Sequence, residues 1–360
     1  MARARICSVS VLPIQVSAVV LALASAGQAL AAENGLQRYS PGVGGSDMTS
    51  PLVPGWYVQM PLVAYHANKM KGGDGNKATS ATPAPLAGLP NLRSEVDIKT
   101  DTYALLPRLT YLDSTRFLGA NVGLTVMLPL VKRKATFVAT PLYPAGLDPS
   151  VPPLVTPGVQ AKVAGQNGSE MGIGDIEVSP LMHWEIGDNQ AVTFAPTLVL
   201  PTGDYNAAKR VNTGYGNFFT FRPSVQYAYI GDGWDIGARG VLSFNTRNQD
   251  NGYFSGHMFN LDYQLMAFVS EDVRVGVQGY FVRQVTKDSQ DLTGFTGTQQ
   301  TALSKEIING NKASVNAIGP AVGWLSNGGE FLLEGKFLKE FSARNRTEGQ
   351  AFWLTLSKPL

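Results

Sequence analysis

Apolar and polar residues alternate with a period of two over long stretches of this chain. Phe219, Phe221, Pro223, Val225, Tyr227 and Tyr229 fall on one face of an extended segment, opposite Phe218, Thr220, Arg222, Ser224, Gln226 and Ala228. Trp234, Ile236, Ala238, Gly240, Leu242 and Phe244 repeat the pattern against Asp235, Gly237, Arg239, Val241 and Ser243. Ala120 to Leu128 and Phe259 to Ala267 do the same. Alternation rich in β-branched and aromatic residues predicts strands. Twelve are expected, over 55–66, 97–111, 117–130, 174–185, 190–201, 217–230, 233–244, 257–269, 273–285, 312–325, 329–341 and 349–359. Most exceed the 5–6 residues usual in globular sheets. They suit the roughly 9–11 residues that cross a bilayer at a tilt.

The connections carry a second signal. Asp113 to Arg116, Ile186 to Asn189, Gly231 to Gly233, Ser270 to Asp272 and Asn327-Gly328 are short. The intervening connections, at 67–96, 131–173, 202–216, 245–256, 286–311 and 342–348, are longer and rich in Gly, Asn, Asp, Thr and Pro. Tight turns alternating with long loops are the layout of an outer-membrane barrel, whose periplasmic turns are short and outer loops long. The expected fold is therefore all-β: a transmembrane antiparallel β-barrel of about 12 strands. Aromatic residues near strand ends, Trp56, Tyr57, Tyr65, Tyr111, Trp184, Tyr229, Trp234 and Trp324, stand where interfacial girdles form.

Composition explains which solvent the outer face meets. Charged residues make up 16% of the chain, against about 25% in ordinary soluble proteins, and a sandwich in water would show many Lys and Glu on its exposed face. Arg3 and Arg5 precede an apolar run from Val9 to Leu23, and Ala29-Leu30-Ala31 offers a cleavage site, so residues 1–31 read as a signal peptide. That leader holds the lone Cys7 and two of the 29 basic residues, leaving 27 basic against 27 acidic. A neutral chain without a basic stripe argues against a nucleic-acid partner. Residues 55–360 would form the barrel. The Gly- and Pro-rich segment 32–54 is too irregular for a strand and is expected as a plug or gate inside the barrel, or as a free periplasmic tail.

Catalytic chemistry is scarce. His66, His183 and His257 are far apart, and Ser255 lies near His257 without an evident third partner. Gly72 to Asn76 reads as a surface loop, and Asp288 with Asp291 as a weak candidate for an outer-loop cation site. No catalytic residues, metal ligands or cofactor are expected, and no enzyme. By alternation, Arg108, Glu177, Arg222, Arg239, Asp235, Asp262, Glu330, Glu334 and Lys336 point into the lumen. They would either brace a narrow barrel with buried ion pairs or form a constriction that filters solutes.

Several stretches in order resemble a known family. They include Tyr39-Ser40-Pro41-Gly42, Pro54-Gly55-Trp56-Tyr57, Gly172-Ile173-Gly174-Asp175-Ile176 before Ser179-Pro180-Leu181, and Pro201-Thr202-Gly203-Asp204-Tyr205. Asn212 to Asn217 before Arg222-Pro223, Asn251-Gly252-Tyr253 with Ser255-Gly256, and Gly276 to Tyr280 with Gln284 and Asp288 continue the likeness. Together these are similar to the outer-membrane proteins associated with the meta-pathway of phenol degradation. The resemblance implies an exported barrel that helps aromatic or other hydrophobic compounds cross the outer membrane. It supplies no ligand residues. Many outer-membrane barrels end on Phe, whereas this chain ends Lys358-Pro359-Leu360. The expected function is passive uptake of small apolar or aromatic solutes, with outer-membrane lipid and lipopolysaccharide as surroundings. The alternative is a structural or adhesive barrel with a closed lumen and partner-binding outer loops.

Overall fold

A computed structural model describes residues 35–50, 52–82, 92–290, 293, 312–326 and 330–360. The signal-peptide reading of 1–31 and the position of Asp291 lie outside the described residues. In chain order the elements are β1 (Gly55–Lys71), β2 (Thr79–Thr82), β3 (Leu92–Leu105), β4 (Arg108–Phe117), β5 (Ala120–Met127), β6 (Leu130–Leu142), α1 (Val151–Ala164), β7 (Gly168–Ile173) and β8 (Glu177–Ile186). Then come β9 (Gln190–Val199), β10 (Thr220–Gly231), β11 (Trp234–Asn245), β12 (Tyr253–Phe254), β13 (Met258–Phe268), β14 (Val273–Gln284), β15 (Ser289–Gln290), β16 (Ser314–Leu325), β17 (Leu332–Arg344) and β18 (Arg346–Pro359).

Twelve of these strands close into an antiparallel ring in the order β1, β4, β5, β8, β9, β10, β11, β13, β14, β16, β17 and β18. The seam runs between β1 and β18 from Tyr57↔Pro359 to Lys71↔Arg346. Closure leaves no open edge in the ring, the condition for a sheet to span lipid. Solvation sets the second condition. Leu124, Phe221, Val225, Leu265, Val277, Val322 and Leu354 are exposed on the outside, while Asp235, Asp262, Gln278, Glu334 and Lys336 are buried inside. This inverts the arrangement of a water-soluble core.

One expected strand, 97–111, is broken in two where β3 and β4 part at Leu106-Pro107, and two further breaks separate β5 from β6 at Leu128-Pro129 and β7 from β8 at Gly174–Ile176. Proline has no N–H to give to a ladder, so a strand bends or ends there. The breaks are in register: Leu106 N donates to Pro61 O, Leu128 N to Pro107 O, and Gly174 N to Pro129 O, at 2.8, 3.1 and 2.8 Å. The wall is thus creased along one line, and β3, β6 and β7 continue beyond it at the long-loop end.

Two expected loops differ. The connection at 131–173 contains β6, α1 and β7, and α1 lays Val155, Val159 and Val163 into an apolar cluster with Ile98 and Phe137. The connection at 342–348 shrinks to a tight turn at Asn345, which takes a positive φ of 51°, because β17 and β18 both run on. Gly72 to Asn76 forms a tight turn, with Gly75 N donating to Gly72 O and Gly72 N to Asn76 O.

Candidate functional site

Residues 35–50 run inside the barrel, and their backbone is read by inward side chains. Asp262 on β13 takes the Tyr39 hydroxyl at 2.7 Å, Gly42 N at 3.0 Å and Gly44 N at 2.9 Å. Glu334 on β17 takes Ser46 N at 2.7 Å, and Lys336 donates to Gly44 O at 2.5 Å. Gln226 donates to Met48 O and Gln264 to the Thr49 hydroxyl. Glycine keeps this approach clear: a Cβ on Gly45 would come within 3 Å of Glu334 Oε1 and Lys336 Nζ, so those side-chain ends would have to shift from their bonds to the segment. Gly42 turns the chain at φ +82°, where side chains are strained.

Ion pairs fasten both ends of the segment. Arg38 Nε meets Asp175 Oδ2 at 3.0 Å in the β7–β8 break, and its guanidinium lies 3.9 Å over the Phe218 ring. The same Asp175 accepts from Gly203 N and Tyr215 N of the 200–219 loop. Asp47 Oδ2 lies 3.1 Å from Arg239 and 3.5 Å from Arg108. Burial alone would raise the Asp47 carboxyl, but Arg239, Arg108 and Lys336 outweigh it and hold the group below the ordinary 3.8.

The lumen residues expected from alternation largely come together. Arg108, Glu177, Arg222, Arg239, Asp235, Asp262, Glu334 and Lys336 all line the interior or touch the segment: Arg222 pairs with Glu177 and bonds Arg38 O, and Asp235 pairs with Arg274. Glu330 does not. The strand begins at Leu332, so Glu330 sits exposed in the turn before it. Their signs cancel in pairs rather than forming a ring of one charge. Gln226 and Gln264, which alternation already sets on the polar face, share the inward face with Arg274, Gln278, Tyr280 and Glu340, which the candidate set leaves out. The alternation that marked Asp262 and Glu334 would have found them, since Arg274, Gln278 and Tyr280 keep one phase on β14.

Two cavities flank the segment, and Tyr39, Met127 and Glu177 line both. The one toward the short turns measures about 560 Å³ and includes Leu52, Tyr57, Arg108, Gln226 and Phe331 in its walls. The one toward the long loops measures about 190 Å³ and is walled by Val63, Leu106, Val131, Phe137 and Trp353.

The remaining candidates have structural employment. His257 packs its ring edge-on to Phe244 and Phe254, and its Nδ1 accepts from Asn245 N at 3.4 Å. Asp288 ties a loop together by accepting from the Tyr253 hydroxyl, Gly256 N and Gln284. Among the described residues no group of three or more His, Cys, Asp or Glu gathers in a way that could hold a metal ion.

Comparison with known proteins adds the following. A family model described as "Putative MetA-pathway of phenol degradation" matches residues 67–356. No curated protein matches in sequence. The crystal structure of the COG4313 outer membrane channel from Pseudomonas putida F1 is similar with a TM-score of 0.62 at 11% identity, over 88% of this chain and 99% of that one. Weaker likenesses include the CymD monoaromatic hydrocarbon channel, TM-score 0.40 at 7% identity over 92% and 97% of the two chains. The β domain of the Bordetella autotransporter BrkA scores 0.41 at 7% identity over 84% and 99%. The first of these establishes the fold, that of an outer-membrane barrel. The other two are too distant to carry an argument.

Proposed function

The chain belongs to the MetA-pathway phenol-degradation family, and from that premise we propose that it is a passive outer-membrane channel for small apolar or aromatic molecules. The observation that carries this reading is the interior. The barrel holds one cavity toward the long loops and a larger one toward the short turns, both with apolar wall interrupted by charged side chains, and residues 35–50 pass between them. A solid structural barrel would have filled both. The family description concerns phenol degradation, and the COG4313 relative is titled an outer membrane channel. Both agree with uptake of such solutes across a lipid and lipopolysaccharide surface.

In this mechanism the solute enters at the long-loop end and rests in the smaller cavity. The segment then yields, and the solute leaves down its gradient without an energy source. The charges around the segment are of mixed sign with no ring of one charge, which argues against strong ion selectivity. Segment 32–54 acts as the gate and 55–360 as the wall. The closed-lumen alternative finds support in the same dense bonding of residues 35–50. Proteoliposome flux separates the two. Aromatic solutes should cross faster than through protein-free vesicles, and deleting residues 33–50 should raise single-channel conductance. A barrel that passes no solute, with or without the segment, is structural instead.

A further inference from the structure

The crease divides the outer wall into two parts with different outward chemistry. On the short-turn side, β4 and β5 expose Leu109, Leu124 and Val126. At the crease, the cross-strand pair Leu130 and Ile173 still faces outward. Beyond it the same face turns basic. Lys132 and Lys134 on β6 and Lys99 on β3 are exposed, and all share the outward phase of their strands. Successive outward residues of a strand stand about 7 Å apart, so Lys132 is one step past Leu130 and Lys134 the next.

The outward acids nearby are already engaged. Lys77 lies 2.7 Å from Glu95 and 2.9 Å from Asp97. Asp101, across the ladder from Lys134, shares a 2.5 Å hydrogen bond with His66 Nδ1 on its other side. Among the described residues Lys99, Lys132 and Lys134 form no ion pair. Lys99 stands across from Thr136 and is therefore diagonal to Lys134, a spacing of about 7–8 Å at which like charges repel. An anion placed among the three ammonium groups relieves that repulsion.

The neighbours of Lys132 fix the level at which this row sits. Tyr103 stands across from it on β3 and is 54% exposed, and Met171 stands across from it on β7 and is 80% exposed. Outward tyrosine marks the boundary between hydrocarbon and headgroups, and lysine stems lie along apolar surface with their charge at that boundary. The row is at the long-loop end, which faces the cell exterior.

We propose that Lys99, Lys132 and Lys134 form a docking site for the phosphorylated headgroup of lipopolysaccharide in the outer leaflet, with Tyr103 and Met171 against its acyl chains. Cations without acids of their own fit a headgroup that carries two phosphates. The site depends on the barrel lying in the outer membrane and is independent of its activity as a channel.

The purified full chain in detergent is titrated with bisphosphorylated lipid A, with the same glycolipid stripped of both phosphates, and with phosphatidylglycerol. Native mass spectrometry reads the bound lipid. Bisphosphorylated lipid A should bind more tightly than the other two. Lys99→Gln, Lys132→Gln and Lys134→Gln together should weaken it by about fivefold per lysine removed, and Arg at the same positions should preserve it. Lys312→Gln, Lys339→Gln and Lys358→Gln together remove as much charge from elsewhere on the barrel and should leave binding unchanged. Each variant is first checked for the gel mobility of a folded barrel. Equal binding of the stripped glycolipid or of phosphatidylglycerol would overturn the site. Undiminished binding without the three lysines, or an equal loss in the charge-matched variant, would do the same.

Discussion

Replacing Asp262 by Ala should release the luminal segment. This carboxylate is fully buried and accepts three hydrogen bonds from residues 39–44, namely the Tyr39 hydroxyl, Gly42 N and Gly44 N. A hydrogen bond to a charged group contributes about 1.5–3 kcal/mol, and three sharing one acceptor do not add fully. A loss of about 3 kcal/mol is a reasonable working figure, because water admitted on opening recovers part of the bonding. At about 1.4 kcal/mol per factor of ten, the undocked fraction should rise about a hundredfold. The remaining anchors, Arg38–Asp175, Asp47–Arg239 and Ser46–Glu334, keep the segment docked most of the time. The assay is thiol labelling of a Ser46→Cys variant, whose parent side chain is fully buried in a chain with only Cys7 of its own. Labelling should speed up by about the same factor when Asp262→Ala is added. Asp262→Asn, which keeps a carbonyl acceptor, should fall between. Labelling with Asp262→Ala within threefold of the parent would refute the reasoning, since the three bonds would then hold nothing.

Acid should act on the gate through Asp47. Its folded carboxyl lies below the ordinary 3.8, so its contribution is complete above that value and is lost only as pH falls through the lower folded one. Asp47→Asn should therefore conduct more than wild type at neutral pH, and equal conductance would contradict the assignment. Burial raises the Asp175 carboxyl that holds Arg38, so a rise setting in above 3.8 on acidification belongs to that anchor and should persist in Asp47→Asn. Gly45→Ala should loosen the segment, because its Cβ would meet Glu334 and Lys336 within 3 Å, and faster thiol labelling in the Ser46→Cys background checks it. Val277→Lys, on the lipid-facing side of β14, should destabilise the barrel by about 2–4 kcal/mol in urea unfolding from vesicles.

The period-two pattern carried most of the architecture. A strand has only two faces, so once one face meets lipid the other must meet the lumen, and Asp262, Glu334 and Lys336 could be assigned inward before any packing was known. The same reasoning placed Glu330 wrongly, because alternation gives phase but not where a strand starts. Helix α1 was lost in the 131–173 connection. Pro152, Pro153, Pro157 and Gly158 read as loop, yet proline in the first turn suits a helix, and the Val155, Val159, Val163 spacing was the visible trace of its buried stripe.

What the chain's order determined alone was a closed barrel, apolar side out, with its charges confined to loops and lumen. That follows from local periodicity and from the penalty for charge in hydrocarbon. Whether residues 35–50 lay inside or hung free was beyond such reasoning. Glycine and proline permit both paths, and the choice depends on Asp262, Glu334, Arg239 and Asp175, which lie far away in sequence. Only closure of the ring brings those side chains around one axis, where they meet a backbone with no sheet of its own to satisfy it.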